Sequence, residues 1–243
     1  MKYLTTACAL SLALLLGGCG EPEPIEPDPV EEPIEEPCTN PAEFIFEEEN
    51  GLVVIEAEQN SIPLGWKLQT SIEGHTGEGY ITWIGGDKFG EPGSGLLRYK
   101  IDLKQTGRYR FMWRSRITHG NNNTEANDAW LKMSRSADFY GEKNGARVYP
   151  KGSGKTPNPN GAGKEGWFKI YMNQLNQWGW QTTTSDHDPH QIYTQIDTPG
   201  IYFIEVSGRS NHFAIDRMVL THEDNAPSEA QEATLPESSY YCR

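Results

Sequence analysis

The sequence lacks three features that define many other classes of protein. From residue 50 onward it shows no sustained helical periodicity, which argues against a helical fold. It also lacks an excess of basic charge, because residues 50–243 hold 22 acidic and 20 basic side chains, a net of −2. No basic field therefore exists to attract nucleic acid. Finally, there is no serine in a nucleophile elbow and no acid pair distinguished for glycoside cleavage, so the sequence does not predict an enzyme.

Nearly all of the formal net charge of −13 comes from one segment near the N terminus. Residues 20–49 hold 12 of the 34 acidic residues and no Lys or Arg. The part "GEPEPIEPDPVEEPIEEP" mixes proline with Glu and Asp, so it cannot bury a core and its charges repel one another. We therefore interpret residues 19–49 as an extended acidic tether that holds a domain away from a membrane surface.

The first residues read as an export signal. "MKYLTTACALSLALLLGGC" has a lysine near its start, an apolar run too short to span a bilayer, and then small residues. Its end, "LLGGC", resembles the lipobox of bacterial lipoproteins, which implies that residues 1–18 are removed and that Cys19 carries lipid. The protein would then be anchored in the cell membrane or outer membrane, facing the surface or the periplasm. The alternative is an ordinary signal peptide whose cut falls near a cysteine.

Few cysteines remain after export. Cys8 would leave with the signal and Cys19 would be acylated, so Cys38 and Cys242 are left, and these two bracket the folded region. An even pair of cysteines in an exported protein predicts a disulfide. The alternative is a pair of free thiols on frayed ends.

The remaining sequence predicts an antiparallel β-sandwich. Ten short runs rich in Val, Ile, Tyr, Phe and Trp are separated by Gly, Pro, Asn and Asp. In "GRYRFMWRSR" the residues Tyr109, Phe111 and Trp113 alternate with arginines, as expected for a strand with one buried face. We expect an all-β jelly-roll sandwich. The predicted runs are 52–58, 79–84, 96–103, 108–117, 129–134, 167–172, 178–183, 190–197, 200–207 and 212–220.

The domain prediction places this sandwich over residues 50–222. Within it, residues 140–166 are rich in Gly, Pro and Lys and are expected to form a long loop. Residues 223–243 are expected to form a polar tail that follows the surface and closes at Cys242.

Carboxylates lie on apolar strand faces at both ends of the sandwich. In "VVIEAEQ", Glu56 and Glu58 share a face with Val54 because side chains alternate along a strand. In "HFAIDRMVL", Asp216 alternates with apolar residues. A buried carboxylate must be protonated, paired with a cation or bound to a metal. Oxygen ligands of this kind suit calcium, and an ion pair with Arg or Lys explains them equally well.

Four segments together resemble carbohydrate-binding modules of families 6 and 35. The resemblance covers roughly residues 50–222, apart from 140–166, and implies a galactose-binding-like β-sandwich. The segments are "IEAEQ", "GYITWIGG", "PGSGLLRYKIDLKQTGRYRFMWRSR" and "SGRSNHFAIDRMVL".

The resemblance also implies site residues. By likeness to the family, a structural calcium ion (Ca2+) would be held by Glu56, Glu58 and Asp216. The sugar site would use aromatic rings against pyranose faces and an amide toward hydroxyl groups. By this likeness the aromatic would be Trp180 in "QWGWQTTTSD", with Trp178 close by, and the amide would be Asn211 in "SGRSNHFAID". The opposing aromatic would be Tyr80 or Trp66.

Three functions remain open at this point. The first is a non-catalytic, lipid-anchored module that binds a polysaccharide or oligosaccharide. The second is a polysaccharide lyase or glycosidase on the same sandwich, although the module would leave no room for a separate catalytic domain. The third is an adhesion or assembly protein whose sandwich contacts another protein.

Overall fold

A computed structural model describes residues 38–136 and 138–243, which form a β-sandwich without any α-helix in those ranges. No helix in the same ranges has the length and apolar character needed to cross a membrane. Two short 3-10 turns lie at Pro41–Glu43 and Glu229–Gln231. The strands are β1 (Ile45–Glu47), β2 (Leu52–Glu56), β3 (Trp66–Gln69), β4 (Tyr80–Trp83), β5 (Leu97–Leu103), β6 (Gly107–Ile117), β7 (Asp128–Ser134), β8 (Asp138–Lys143), β9 (Ala146–Val148), β10 (Gly163–Lys164), β11 (Trp167–Tyr171), β12 (Thr183–Thr184), β13 (His190–Ile196), β14 (Gly200–Gly208), β15 (Phe213–His222) and β16 (Tyr240–Tyr241).

The strands form two layers that are joined at one corner. One layer has the order β16-β1-β5-β14-β7-β11, and the other has the order β9-β8-β13-β6-β15. Strands β2 and β4 both pair with β15, each along a different part of it. Strand β12 pairs with β11 and with β13, and so connects the layers. The pairings between these strands are antiparallel except that of β1 with β5. The predicted all-β sandwich is confirmed.

The core lies between the two layers, where the alternation of β6 places its aromatic side chains. Tyr109, Phe111 and Trp113 are fully buried, as the sequence predicts. They share one apolar cluster with side chains from the opposite layer, including Ile101 and Phe168. Burial of this much aromatic surface is the main source of the fold's stability.

A second, smaller cluster covers the outer face of β2, β6 and β15. Val54, Met112 and Val219 pack there against Ala230 and Leu235 of the C-terminal tail. The tail is therefore more than a polar segment that follows the surface, because it buries part of the outer face of the second layer. This explains why all ten residues of β15 are buried.

The folded unit begins earlier than the predicted boundary at residue 50. The run Phe44–Ile45–Phe46 is buried, and β1 pairs with β5 on one side and with β16 on the other. Residues 38–49 are thus part of the sandwich and not of the tether. Burial of three consecutive apolar side chains stabilises the fold, whereas an extended tether would leave them exposed to water.

The segment 140–166 is also more ordered in its first part than predicted. Strands β8 and β9 form a hairpin whose two-residue turn is Asn144–Gly145, with φ values of 51° and 81°. Asn-Gly is the preferred pair for such a turn because both positions need positive φ. By contrast, the predicted strand at 178–183 is reduced to β12 and an isolated bridge between Gly179 and Ser115.

A β-bulge changes the predicted alternation of β15. Ile215 is opposite Ser115 and Arg217 is opposite Arg114, so Asp216 is an extra residue with no partner in β6. The inward-facing residues are consequently Phe213 and Ile215 before the bulge and Met218 and Leu220 after it. The expected alternation of Asp216 with apolar residues along β15 therefore fails after the bulge, where Met218 and Leu220 face the core.

A disulfide joins Cys38 to Cys242, with 5.5 Å between their Cα atoms, as predicted. It closes a sequence separation of 204 residues next to the β1–β16 pair. Cys19, the signal peptide and most of the proposed tether lie outside the described residues.

Candidate functional site

The carboxylates singled out from the sequence meet in one cluster on the outer face of the second layer. Glu56 and Arg217 are directly opposite across β2 and β15, and both are almost fully buried. The Arg217 guanidinium donates to Glu56 Oε1 from Nε at 2.9 Å and also from Nη2. Thr76 Oγ1 donates to Glu56 Oε2 at 2.7 Å. Glu56 is therefore a paired carboxylate.

Asp216 is held in the same way from the bulge. Arg114 Nη1 donates to its Oδ2, and the Thr76 backbone N–H donates to its Oδ1 at 2.9 Å. Thr76 thus contacts both Glu56 and Asp216. The pKa of Asp216 is raised, first by burial and also by Glu56, while Arg114 and the Thr76 N–H oppose the shift.

Glu58 differs from these two because no cation among the described residues pairs with it. Its Oε1 accepts from the backbone N–H groups of Glu78 at 2.8 Å and Gly79 at 3.1 Å, but its buried Oε2 has no partner. Burial raises the pKa of Glu58 to about 7, with a smaller contribution from Glu56. Glu237, from the tail, accepts from the Glu56 N–H at 3.0 Å, and burial likewise raises its pKa to about 7.

The fit of this cluster to calcium is partial. Four carboxylates against two guanidiniums leave a surplus of two negative charges when all are ionised, and the unpartnered Glu58 oxygen is a hard donor of the kind calcium prefers. However, the guanidiniums already occupy oxygens of Glu56 and Asp216, and the described residues contain no group of three acidic, His or Cys side chains arranged to hold a metal ion. Glu56 and Asp216 are therefore in ion pairs, as the alternative to calcium expects. A calcium ion at this cluster stays a prediction.

The structure brings Trp178 and Tyr80 together but does not gather all of the predicted sugar-binding aromatics at one place. Tyr80 and Trp66 are 0% and 5% exposed, so neither ring offers a face to a ligand, which corrects their assignment as the opposing aromatic. The half-buried Trp178 packs edge-on against Tyr80 and donates to the Glu73 carbonyl at 3.1 Å. Trp180 packs against the small outer cluster beneath the C-terminal tail.

Asn211 lies elsewhere, in a polar cleft of about 660 Å3. We call it the Asn211 cleft. Three loops form it: the β4–β5 loop, the β6–β7 loop and the short β14–β15 connection. Its lining side chains include Asp87, Phe89, His119, Asn121, Asn122, Thr124, Glu125, Asn127, Asp128, Arg209, Ser210, Asn211 and His212.

The β14–β15 wall of the cleft is fixed by Asp128, which is buried at the start of β7. Arg209 Nη1 and Ser210 Oγ both donate to the Asp128 carboxylate, and the Ser210 N–H donates to its carbonyl at 3.1 Å. Asp87 also accepts from the Asn211 N–H at 2.9 Å. The backbone that carries Asn211 is therefore held from two sides.

The β6–β7 loop is braced by amides. Asn123 and Asn173 each donate to the carbonyl of the other, at 3.2 and 2.9 Å, and Asn127 Nδ2 donates to the Met172 carbonyl at 2.9 Å. At the base of the loop the His119 and His212 rings are stacked with centroids 4.6 Å apart. This bracing gives the wall a defined shape. Asn122 Oδ1 is also engaged, because it accepts from the Thr124 N–H at 3.0 Å and from Thr124 Oγ1 at 2.9 Å. Within the described residues, the side chain of Asn121 lines the cleft without a hydrogen bond.

Several groups in the cleft are left available to a ligand. The Asn211 Oδ1 atom is buried and has no hydrogen-bond partner. Phe89 is 54% exposed, and the Arg209 guanidinium lies 4.9 Å from its ring centroid and 5.0 Å from that of Trp130. The cleft thus combines an exposed aromatic face with an unsatisfied amide and a fixed cation.

A second depression of about 600 Å3 continues from the cleft. The two share Thr124, Asn127, Asp128 and Arg209 along their boundary. The second depression adds side chains from β11, from the β11–β12 connection and from the β12–β13 loop, which are Lys169, Tyr171, Asn173, Gln181, Asp186 and His187. The continuous groove is longer than either depression alone.

Sequence reasoning identified Asn211 in this cleft but missed Phe89, Arg209 and the β6–β7 loop. A signal was present in "HGNNNTE", where consecutive amides follow a strand and cannot serve a core. No signal indicated Phe89, because a single phenylalanine between glycines reads equally well as a core residue.

Comparison with known proteins gives structural likeness only. No family model matches the sequence, and no curated protein matches it. Similar solved structures include a Podospora anserina GH26-CBM35 β-(1,4)-mannanase, at 19% identity and a TM-score of 0.43 over 74% of this chain. The CBM35 from Cellvibrio japonicus Abf62 has 12% identity, a TM-score of 0.39 and 70% coverage. A CBM35 from Paenibacillus barcinonensis has 14% identity, a TM-score of 0.38 and 70% coverage.

The lengths of these structures differ. The match covers 29% of the mannanase chain, so this chain spans less than a third of it. It covers 92% and 99% of the two isolated modules.

Proposed function

We propose that this chain is a non-catalytic carbohydrate-binding module, anchored to the bacterial envelope by lipid on Cys19. The observation that carries the proposal is the Asn211 cleft, in which a buried amide oxygen without a partner lies near the exposed Phe89 ring. A buried polar atom without a hydrogen bond destabilises the free protein, so a ligand that donates to it gains affinity there.

The chemistry of the cleft suits a sugar. A pyranose has apolar C–H faces that pack against an aromatic ring, and hydroxyl groups that both donate and accept. Phe89 supplies the ring, and Asn211 supplies an amide that can bond two hydroxyls. Asn121 supplies a further amide from the β6–β7 loop, and Asn122 supplies its Nδ2 group there. Such a site combines little apolar area with many directional bonds, which predicts affinities in the micromolar to millimolar range.

The length of the groove favours a chain of sugars over a single one. The second depression meets the cleft along Arg209 and Asp128, so a ligand in the cleft has space to continue past Arg209 toward Lys169. We therefore propose an oligosaccharide or polysaccharide ligand.

Binding without catalysis is favoured because the buried carboxylate of the cleft is already engaged. Asp128 is held by Arg209 and Ser210, and Asp87 accepts from a backbone N–H. A glycosidase needs two carboxyl groups free to transfer a proton and to attack or activate water. The enzyme and protein-adhesion alternatives are retained as outcomes of the test.

The test combines a polysaccharide panel with matched variants. We expect the wild-type protein to be retained by at least one polysaccharide without new reducing ends or unsaturated product. Phe89→Ala and Asn211→Ala should each weaken binding by about 1–3 kcal/mol. Leu64→Ala, which removes a 98% exposed apolar side chain outside the cleft, is the control and should bind normally.

Other outcomes would contradict the proposal. Product formation would indicate an enzyme, and failure to bind any polysaccharide would favour a protein partner. Unchanged affinity in both cleft variants would place the sugar site elsewhere. Anchoring is tested separately with Cys19→Ala, which should move the protein from membrane to soluble fractions. A variant that stays processed and membrane-bound would exclude lipid on Cys19.

A further inference from the structure

A separate pocket of about 220 Å3 lies on the outer face of the second layer. Its floor is formed by neighbouring residues of three strands: Arg110 on β6 is directly opposite Tyr193 on β13 and Thr221 on β15. The turn after β15 forms one wall, with Glu223, Asn225 and Pro227 among its lining residues. We call it the Arg110 pocket. It shares no lining residue with the Asn211 cleft.

Arg110 has no partner for its charge. Within residues 38–136 and 138–243 it makes no ion pair or hydrogen bond, and its Nε is buried and unsatisfied. Burial lowers the pKa of Arg110, because desolvation disfavours the charged form. A guanidinium nevertheless keeps its proton in proteins, so a half-buried positive charge is left without compensation.

A second unsatisfied group lies beside it. Thr221 is 1% exposed, and its buried Oγ1 also has no hydrogen-bond partner. A hydroxyl can donate to an oxyanion at the same time as the guanidinium does. Two unsatisfied donors on adjacent strands, facing one small pocket, are what an anion site requires.

The other charges of the pocket are already balanced. Arg108 pairs with Glu142 at 3.0 Å and lies 3.5 Å from Glu223. Glu142 also pairs with Arg147 at 3.3 Å, so two arginines match two carboxylates here. Glu223 Oε1 accepts from the Arg108 N–H at 3.1 Å. The Glu223 carboxylate is therefore committed to Arg108, which leaves the positive charge of Arg110 in excess.

We propose that the Arg110 pocket binds a small oxyanion group, namely a sulfate, phosphate or carboxylate, through the guanidinium of Arg110 and the hydroxyl of Thr221. Planar guanidinium groups bind such oxygens through paired hydrogen bonds. The group is either a free ion or a substituent of a larger molecule that continues into solvent.

The test measures the melting temperature of the purified chain against sulfate or phosphate concentration, with ionic strength kept constant by sodium chloride. An anion that binds only the native state raises the melting temperature as its concentration passes Kd. We expect such a rise for the wild type and at least a tenfold weaker response for Arg110→Gln. Without anion, Arg110→Gln should melt no lower than the wild type, since it removes an uncompensated charge.

Arg116→Gln is the matched control. Arg116 lies on the same strand, its Nε is also buried without a hydrogen bond, and no ion pair holds it within the described ranges. Its guanidinium lies 5.9 Å from the Trp178 ring centroid and outside the pocket. This variant should respond to anion as the wild type does. If Arg110→Gln fails to fold, Thr221→Val provides the second variant and should also weaken the response.

Two ligand series identify the source of the anion. A response to inorganic sulfate or phosphate supports a free ion. A response to glucose 6-sulfate, glucose 6-phosphate or glucuronate, but not to glucose or the inorganic ions, supports a substituent on a sugar. The proposal is overturned if the wild type responds to none of these probes, or if Arg110→Gln and the wild type respond equally.

Discussion

The carboxylate cluster and the Asn211 cleft both gather polar side chains, but they treat them in opposite ways. In the cluster, Glu56 and Asp216 each receive a guanidinium and a donor from Thr76. In the cleft, the amide oxygen of Asn211 receives nothing and the ring of Phe89 faces solvent. Satisfied polar groups hold strands together, whereas unsatisfied ones are available for recognition. Among the described residues, the one buried carboxylate oxygen of the cluster without a hydrogen-bond partner is Glu58 Oε2.

The largest expected effect comes from breaking the cluster. Glu56→Ala removes the partner of the buried Arg217, and an unpaired buried charge should lower the free energy of unfolding by about 3–5 kcal/mol. Urea denaturation measures this loss. The control is the double variant Glu56→Leu/Arg217→Met, which replaces the pair with apolar groups and should recover much of the stability. A double variant as unstable as the single one would show that the pair is not the source of the effect.

Opening the disulfide should have the next largest effect. Cys242→Ser frees the tail end that pairs with β1, and loss of such a bond typically costs about 2–4 kcal/mol. Since the tail also covers the outer face beside Glu56, hydrogen exchange should increase in β2 as well as in β1 and β16. Sugar affinity, measured in the same sample below its melting temperature, should not change. Lost affinity would couple the two regions that the structure separates.

Chelation tests whether the cluster has a further component. If a calcium ion binds Glu56, Glu58 and Asp216, a hundredfold excess of calcium over Kd stabilises the native state by about 2.7 kcal/mol. A chelator should then lower the melting temperature, and calcium should restore it. Glu58→Gln should abolish that response, because it removes the carboxylate that no guanidinium neutralises. A melting curve that chelator leaves unchanged would mean that the two ion pairs alone complete the cluster.

Trp180→Ala separates packing from recognition. In the structure Trp180 contacts the outer cluster of Val54, Met112 and Val219, so truncating this half-buried indole should lower stability by roughly 2 kcal/mol, less than for a fully buried ring. Sugar binding should persist. The resemblance to families 6 and 35 implies the reverse result, which is lost sugar binding with intact stability. Measuring both sugar affinity and stability on Trp180→Ala therefore decides between a packing role and a recognition role.

The smallest expected change is in the cleft itself. Asn211→Ala removes a side chain that makes no hydrogen bond within the described residues. The free energy of unfolding of this variant should therefore stay within about 0.5 kcal/mol of the wild-type value. Asn127→Ala is the contrasting control in the same cleft, because Asn127 Nδ2 braces Met172. It should lose about 1 kcal/mol or more. Equal losses would remove the distinction between available and committed groups.

The strands were predictable where a local pattern determines them. On β6 the alternation of aromatics and arginines is visible in the sequence, and Tyr109, Phe111 and Trp113 are buried as expected. The Asn144–Gly145 pair equally indicates a hairpin turn, but the Gly, Pro and Lys residues that follow it made the whole segment resemble a loop. Here the signal existed and the surrounding composition obscured it.

The bulge at Asp216 and the positions of the site residues were not predictable in the same way. A bulge depends on the register between β15 and β6, which a single strand does not encode. The Asn211 cleft joins loops that are far apart in the chain, since Asp87 and Asn211 are separated by 124 residues. Trp180 and Asn211 were expected to share one platform, yet Trp180 packs against the outer cluster and Asn211 lines the cleft.

The Cys38–Cys242 bond also has a mechanical consequence. When opposing forces pull on the chain beyond these two residues, the tension passes from Cys38 directly to Cys242 through the covalent bond. Residues 39–241 lie in parallel with that bond, and they carry no tension while it is intact. A load applied to a ligand in the Asn211 cleft is different, because it must travel through the sheets to reach either cysteine. If the cleft binds the proposed ligand, the strands around it are therefore the part of this protein that transmits a load applied to that ligand.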